Sequence, residues 1–221
     1  MASHQRPYAD RRVAGEVLAD AVVRSLDDHH AAASKPLVLA LPRGGVPVSL
    51  PVAQRLGVPP AVLVVRKLGA PGHPELAVGA IAAVGDHVEQ VLNSEGVSGL
   101  GMTPARLAEI IEDETAELWA RVARFGATPP VRDRPVIVVD DGLATGATMR
   151  AAVAAVRSAG AAFVVVAVPV GAVAACRDLS QTADLVVCPR RPDPFRAVGE
   201  HYRDFHQLAD AEVLALLKRS A

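Results

Sequence analysis

Short apolar runs alternate with amphipathic stretches along most of the chain. Runs of three to six apolar residues predict buried strands at 37–41, 61–65, 136–139, 163–168 and 185–187. Apolar residues at helical spacing predict helices over 9–28, 46–56, 103–126, 147–159, 172–177 and 210–218. Strands that alternate with helices indicate an α/β protein with a doubly wound, mainly parallel sheet.

Two segments contain residues that interrupt regular structure. Pro51 argues against an uninterrupted helix over 46–56. Residues 66–79 contain three glycines and two prolines, which predicts a mobile loop without strands or helices. After this loop, two short strands at 80–84 and 88–92 are expected to pair as a hairpin across Gly85-Asp86.

The composition favours one domain over residues 1–221. The net charge of −1 gives no electrostatic bias towards nucleic acid or a membrane surface. Charged residues interrupt the apolar runs well before the ~20 residues that a membrane span needs. The two cysteines make no disulfide framework, and the first residues lack the pattern of a signal peptide, so we expect a cytoplasmic protein.

The segment from 136 to 148 carries the clearest chemistry. A buried strand ends at Asp140 and Asp141, and a short loop leads into a helix that starts at Thr145-Gly146-Ala147-Thr148. A helix start binds phosphate through its free N–H groups and its positive dipole end. The two carboxylates, expected to be exposed, can accept hydrogen bonds from vicinal hydroxyls. This predicts a sugar-phosphate site, and the alternative is a capped helix after a solvated surface turn.

This segment resembles the signature of the type I phosphoribosyltransferases, which binds the ribose and the 5-phosphate of phosphoribosyl pyrophosphate (PRPP). The resemblance covers most of residues 7–217. It implies a type I phosphoribosyltransferase-like core with a small hood subdomain, formed by residues 189–221 together with the N-terminal helix 9–28. It also implies that Asp140 and Asp141 hold the ribose hydroxyls. The residues expected around the 5-phosphate are Ala144, Thr145, Gly146, Ala147 and Thr148.

A second segment, Leu41-Pro42-Arg43-Gly44-Gly45, follows the first strand. In the resembling family a turn at this place binds pyrophosphate, often with a cis non-proline peptide. Arg43 and Gly44 are therefore expected at the pyrophosphate, and the peptide from Pro42 to Arg43 is the candidate for the cis bond. A Gly-Gly turn with a solvated arginine is the alternative.

The resemblance also implies a flexible loop that closes over the pyrophosphate, at residues 66–79. Arg66 or Lys67 would supply cationic hydrogen bonds to the leaving group from this loop. A basic pair at a strand end is equally typical of solvated surface. The roles of His73 and Glu75 stay open.

The C-terminal segment 190–204 loosely resembles the hood of the 6-oxopurine phosphoribosyltransferases, where an aromatic ring stacks on the base. Phe195 and Tyr202 are the expected acceptor-binding residues, and an apolar anchor for the tail explains them equally well. Those enzymes recognise the exocyclic oxygen with a lysine that is absent from Val168-Pro169-Val170. This departure argues against hypoxanthine or guanine. The wider sequence resembles a subgroup of unassigned acceptor, and the role of Glu200 stays open.

The resemblance implies transfer of the 5-phosphoribosyl group from PRPP to a base or an amine, with release of pyrophosphate. Arg43 and Lys67 are expected catalytic residues, because displacement at C1 requires the leaving-group charge to be neutralised. Asp141 is the third expected catalytic residue, as a base for an acceptor N–H. Mg²⁺ is the expected cofactor, held mostly by the substrate with Asp140 or Asp141 in reach. The family makes a homodimer an expectation. A regulator that senses PRPP or a nucleotide, and a hydrolytic relative, are the alternatives.

Overall fold

A five-stranded parallel sheet forms the centre of the computed structural model, which describes residues 6–28, 35–70, 73–93 and 102–219. Within these ranges the strands are β1 Leu37–Ala40, β2 Pro60–Val62, β3 Val65–Ala70, β4 His73–Val84, β5 His87–Leu92, β6 Pro135–Val139, β7 Phe163–Ala167 and β8 Leu185–Val187. The helices are α1 Arg11–Asp28, α2 Gly45–Leu56, α3 Pro104–Phe125, α4 Ala147–Ser158, α5 Val173–Leu179 and α6 Asp210–Lys218. No helix of the described part is both long and apolar enough to cross a membrane.

The order of the central sheet is β2-β1-β6-β7-β8, and all four pairings are parallel. After β1 the chain adds β2 on one side of the sheet, and after β6 it adds β7 and β8 on the other side. Helices α1 and α2 cover one face, where Val38, Ile137 and Val165 pack. Helices α4 and α5 cover the opposite face. Burial on both faces explains why these strands are continuously apolar, and the doubly wound sheet is confirmed.

The segment 66–79 is not the irregular loop that its glycines and prolines predict. In the described residues it belongs to β3 and β4, which pair antiparallel, and β5 adds the third strand of this second sheet. The prediction of an irregular loop counted Gly79 as a residue that interrupts regular structure, whereas this glycine is required by the packing of strand β5. A Cβ there would lie 2.5 Å from the carbonyl oxygen of Val91, so the close approach of β5 requires glycine. Residues 71 and 72 lie outside the described residues, as do the side chains of His73 and Glu75.

Two further expectations about local structure need correction. Helix α2 continues through Pro51, whose ring packs beside Gly15 of α1, where a Cβ would lie 3.1 Å from the proline ring. This packing of α1 on α2 offsets the hydrogen bond that proline removes. The apolar run 61–65 is divided between two sheets. Strand β2 ends at Val62, and Val65 already pairs with Ala82 in the antiparallel sheet.

The residues before α1 pair with residues 195–206, called the hood segment below, beside the carboxyl ends of the central strands. The N–H of Tyr8 donates to the carbonyl oxygen of His201, and the N–H of Arg203 donates to that of Tyr8. Tyr8 and Tyr202 are both buried in a small cluster with Val170. Together these two segments cover part of the edge where the central strands end.

Candidate active site

The carboxyl ends of β1 and β6 form the centre of the candidate active site. These neighbouring strands pair in parallel, with Ala40 beside Val139, and the strand order reverses between them. Ligands of doubly wound sheets bind in the crevice at such a reversal. The turn after β1 carries Arg43, and the loop after β6 carries Asp140 and Asp141. The structure therefore brings together the two segments that the sequence singles out.

Gly44 and Gly45 allow these two loops to touch. A Cβ at Gly44 would lie 2.1 Å from Oδ2 of Asp141, and one at Gly45 would lie 2.4 Å from the carbonyl oxygen of Val139. Neither position can hold a larger residue unless the facing chain moves. The glycine pair thus places the turn after β1 directly against the acid pair.

Asp140 and Asp141 are more buried than expected. The side chain of Asp141 keeps 15% of its surface exposed, and Oδ1 of Asp140 accepts a hydrogen bond of 2.8 Å from the N–H of Asp141. Burial raises the pKa of both carboxyls, and the neighbouring charge of Asp141 raises the pKa of Asp140 further. Hydroxyl donors or a cation from a ligand would stabilise the ionised pair.

Arg11 contacts this acid pair, and the sequence analysis missed it. Its Nε donates a hydrogen bond of 2.8 Å to Oδ2 of Asp141, and the arginine side chain is itself only 10% exposed. The guanidinium lowers the pKa of Asp141 against the effect of burial. No local signal could have identified this contact, because 130 positions separate the two residues.

The loop after β6 ends at the N-terminus of α4 as the sequence predicts. Gly146 caps this helix in the left-handed conformation, with φ 74°, and it has no side chain to accept from the first N–H groups of the helix. Ala144, Thr145 and Thr148 are exposed around it. The N–H of Ala147 donates a hydrogen bond of 3.4 Å to Oγ1 of Thr145. The following N–H groups of the first turn and the two threonine hydroxyls can donate to an anion.

Arg150 adds a positive charge to the same loop. One guanidinium nitrogen donates a hydrogen bond of 2.8 Å to the carbonyl oxygen of Thr145. The sequence analysis overlooked this residue, although its position four residues after Gly146 places it one helical turn above the helix start. A cation beside a helix N-terminus favours anion binding further.

Arg43 lies in the turn between β1 and α2 and follows a cis peptide between Pro42 and Arg43, as the resemblance implies. One guanidinium nitrogen of Arg43 lies 3.7 Å from Oδ1 of Asp210, the first residue of α6. The arginine side chain keeps 39% of its surface exposed. A partly exposed cation with a long, weak ion pair can exchange that partner for an anionic ligand.

Arg66 and Lys67 lie on opposite faces of β3. Arg66 turns to α3, where its Nε donates a hydrogen bond of 2.7 Å to Oε2 of Glu114. Lys67 is exposed on the other face of β3. Val65 lies on the same face and packs against the core cluster that includes the buried residues of α4. The structure brings Lys67 to the α4 side and directs Arg66 away from it.

The hood residues Phe195 and Tyr202 have different surroundings. Tyr202 is buried, and its hydroxyl donates to the backbone carbonyl of Asp141, which favours the anchor interpretation for this residue. Phe195 is partly buried and its ring stacks on His201, with the ring centroids 5.3 Å apart. Nε2 of His201 is buried without a hydrogen-bond partner among the described groups, and burial lowers the pKa of this imidazole.

The hood also touches the acid loop directly. A Cβ at Gly142 would lie 2.4 Å from Cγ1 of Val198, so the hood turn rests on the backbone that follows Asp141. Phe195 lies three residues before this turn, and His201 is its last residue.

The acid pair could hold a magnesium ion that arrives with a phosphate ligand. Within the ranges that the structure describes, no three His, Cys, Asp or Glu side chains come together as a metal site. Mg²⁺ usually takes one or two carboxylates from a protein and completes its shell with phosphate oxygens and water. Asp140 and Asp141 supply a donor set of that kind.

The chain matches the family model described as the phosphoribosyl transferase domain over residues 14–203. Curated proteins of Mycobacterium tuberculosis from strains CDC 1551 and H37Rv, provisionally named phosphoribosyl transferases, are each 42% identical to it over 187 residues. The match covers 83% of this chain and 42% of each relative. The chain thus spans less than half the length of these relatives.

A solved structure resembles the whole chain. The protein TT1426 from Thermus thermophilus is 38% identical in sequence, with a TM-score of 0.81. The superposition covers 98% of this chain and 100% of that one. The two proteins therefore share their fold over almost the whole of this chain.

Proposed function

Since the chain belongs to the phosphoribosyltransferase family, we propose that it transfers the 5-phosphoribosyl group of PRPP to a nitrogenous acceptor and releases pyrophosphate. The observation that carries the proposal is that three structural features lie together where the strand order reverses. These are the acid pair, the N-terminus of α4 and the turn that holds Arg43. PRPP presents a matching set, namely ribose hydroxyls, a 5-phosphate and a pyrophosphate.

We assign the sugar phosphate to the loop after β6. Asp140 and Asp141 accept hydrogen bonds from the ribose hydroxyls. Residues 144–148 surround the 5-phosphate with backbone N–H groups and the threonine hydroxyls, and Arg150 adds its charge. Asp141 serves to hold the sugar rather than to accept a proton, because Arg11 already engages its carboxylate.

We assign the pyrophosphate to Arg43, the backbone of Gly44 and Lys67. Arg43 is a partly exposed cation in the turn beside the reversal, and Lys67 is an exposed cation on the α4 side of β3. Arg66 is omitted from this set because its guanidinium pairs with Glu114. Mg²⁺ is the proposed cofactor, with Asp140 and Asp141 as its protein ligands. When bound, it would neutralise negative charge on the pyrophosphate.

In the proposed reaction, the bond from C1 of the ribose to a pyrophosphate oxygen breaks and the acceptor nitrogen bonds to C1. The oxygen leaves with the bonding electron pair, and the acceptor nitrogen loses a proton to water. Arg43 and Lys67 stabilise the charge that develops on the pyrophosphate. The acid pair holds the ribose while positive charge develops on the sugar.

The hood is the proposed acceptor side. Phe195 is partly buried and offers a ring face for a planar acceptor, whereas Nε2 of His201 is buried, has no partner in the described structure and would reach an acceptor only after the hood segment moves. A lowered pKa keeps this imidazole neutral near pH 7, so that Nε2 can accept or donate a hydrogen bond. These features suit a base or an amine.

Product analysis tests this proposal. The protein is incubated with PRPP and Mg²⁺ together with a panel of bases and amines, pyrophosphate is measured, and products are identified by mass spectrometry. A phosphoribosylated acceptor formed in step with pyrophosphate is the expected result. Ribose 5-phosphate without an adduct would indicate a hydrolase, and bound PRPP without turnover would indicate a regulator.

Arg43→Ala should weaken the binding of pyrophosphate but not the binding of ribose 5-phosphate. We expect pyrophosphate affinity to fall by about 10-fold or more, because a hydrogen bond to a charged group contributes about 1.5–3 kcal/mol. Ribose 5-phosphate affinity should change by no more than about twofold. Calorimetric titration of each ligand measures both. Arg55→Ala is the matched control, because Arg55 lies at the far end of α2 and also pairs with an aspartate, Asp20. Equal losses for both ligands would contradict the assignment of Arg43.

A further inference from the structure

Arg11 joins three separate parts of the chain at the acid pair. Its Nε donates to Oδ2 of Asp141, and a terminal nitrogen donates a hydrogen bond of 3.0 Å to the carbonyl oxygen of His206 in the tail. The guanidinium carbon lies 3.9 Å from the centroid of the Phe205 ring. The charge is buried and has contacts on several sides, so its orientation is fixed.

The hood holds Asp141 from a second direction as well. The hydroxyl of Tyr202 donates to the backbone carbonyl of Asp141, and the ring of Tyr202 stacks on Phe205 at 5.1 Å between centroids. Phe205 in turn lies under Arg11. The carboxylate and the carbonyl of this aspartate are therefore both anchored by one connected group of side chains.

We propose that Arg11 is a positioning residue for sugar binding, an inference that rests on the proposed function. By engaging Oδ2, Arg11 fixes the plane of the Asp141 carboxylate and presents Oδ1 to a ribose hydroxyl. A carboxylate held in this way loses little conformational freedom when the ligand binds. Arg11 thus acts on the ligand through Asp141 and has no direct contact with it.

A purely structural role would be to attach the N-terminal helix to the tail. Arg190 provides the matched comparison, because it makes the same two kinds of contact without reaching the acid pair. Its guanidinium carbon lies 3.5 Å from the centroid of the Tyr8 ring, and it donates a hydrogen bond of 2.8 Å to the carbonyl oxygen of Arg6. Loss of hood attachment alone would affect both arginines alike.

The test is a double-mutant cycle on ribose 5-phosphate affinity. The variants are Arg11→Met, Asp141→Asn and the double variant, with Arg190→Met as the control and pyrophosphate as the second ligand. We expect Arg11→Met to weaken ribose 5-phosphate about 10-fold, and pyrophosphate and the Arg190→Met control to change by no more than about twofold. In the Asp141→Asn background, Arg11→Met should have almost no further effect, since coupled residues are not additive.

Arg11→Lys keeps the inference testable if Arg11→Met does not fold. Lysine retains the buried charge, but one ammonium group cannot reproduce the planar contacts to Asp141, His206 and Phe205. A loss of about threefold or more in ribose 5-phosphate affinity is expected from a folded Arg11→Lys protein.

Three results would overturn this role. They are wild-type affinity in Arg11→Lys, equal losses in Arg11→Met and Arg190→Met, and additive losses in the cycle. If the wild-type protein itself bound neither ribose 5-phosphate nor PRPP, the proposed function would fail and this inference with it. Normal wild-type binding together with any of the three results would overturn the role of Arg11 alone.

Discussion

Asp140→Asn should weaken ribose 5-phosphate binding by about 10-fold or more, because asparagine replaces a charged acceptor of a ribose hydroxyl, and a hydrogen bond to a charged group contributes about 1.5–3 kcal/mol. The side chain keeps its size, so the loop after β6 should keep its conformation. Calorimetric titration of ribose 5-phosphate and of PRPP measures the loss, and pyrophosphate affinity should be nearly unchanged. Wild-type affinity for ribose 5-phosphate in the folded variant would contradict the assignment of the acid pair.

The same substitution should stabilise the protein at neutral pH. Burial and the charge of Asp141 raise the pKa of Asp140 in the folded state. A carboxyl with a raised pKa favours folding below its unfolded pKa of 3.8, and this contribution is lost as the pH rises through the folded value. Without the carboxyl, the unfolding midpoint at pH 7.5 should rise by about 3 °C, which corresponds to about 1 kcal/mol. Near pH 4 the difference should be close to zero.

Asp141→Asn is the comparison variant. Burial raises the pKa of Asp141 as well, but the guanidinium of Arg11 opposes this effect, and the substitution leaves that buried cation without its partner charge. In thermal unfolding at pH 7.5 in the presence of EDTA, Asp140→Asn should therefore have a higher midpoint than Asp141→Asn. A lower midpoint for Asp140→Asn than for the wild type at pH 7.5 would show that the acid pair is not under electrostatic strain.

Gly45→Ala should lower the stability by about 3 kcal/mol or more, since a Cβ would lie 2.4 Å from the carbonyl oxygen of Val139 and 3.0 Å from Cα of Asp140. Those atoms belong to backbone that is tied to β1 and cannot move aside cheaply. Helix propensity alone would make alanine more favourable than glycine at this position. The expected loss of stability therefore comes from the packing clash alone. Chemical denaturation measures the change in the free energy of unfolding.

Gly57→Ala provides the matched glycine control on the same helix. Its Cβ would meet open space, and its φ of 65° makes alanine there cost about 1 kcal/mol. A loss at Gly45 no greater than the loss at Gly57 would contradict the close contact between the turn after β1 and the loop after β6.

Features of the fold that depend on neighbouring residues in sequence could be predicted. The continuous apolar runs before Arg43 and Asp140 identify buried parallel strands, and Thr103 with Pro104 identifies the start of α3, where Oγ1 of Thr103 accepts from the N–H of Arg106. The loop that ends at the N-terminus of α4 follows from Gly146 and the helix behind it. In each case the signal and the structure lie within a few residues of each other.

Features that depend on distant contacts could not be predicted. Gly79 interrupts a strand pattern, yet the neighbouring strand β5 requires glycine there. Pro51 interrupts a helix pattern, yet its ring packs beside Gly15. The burial of the acid pair and its contact with Arg11 arise only when the two ends of the chain close over the sheet edge.

The central claim is that the reversal between β1 and β6 binds PRPP, and calorimetric titration of the wild-type protein tests it most directly. PRPP is titrated with and without Mg²⁺, and ribose 5-phosphate and pyrophosphate serve as partial ligands. We expect PRPP to bind in the micromolar range with Mg²⁺, more weakly without it, and each partial ligand to bind more weakly than PRPP. Absence of PRPP binding under both conditions would contradict the claim.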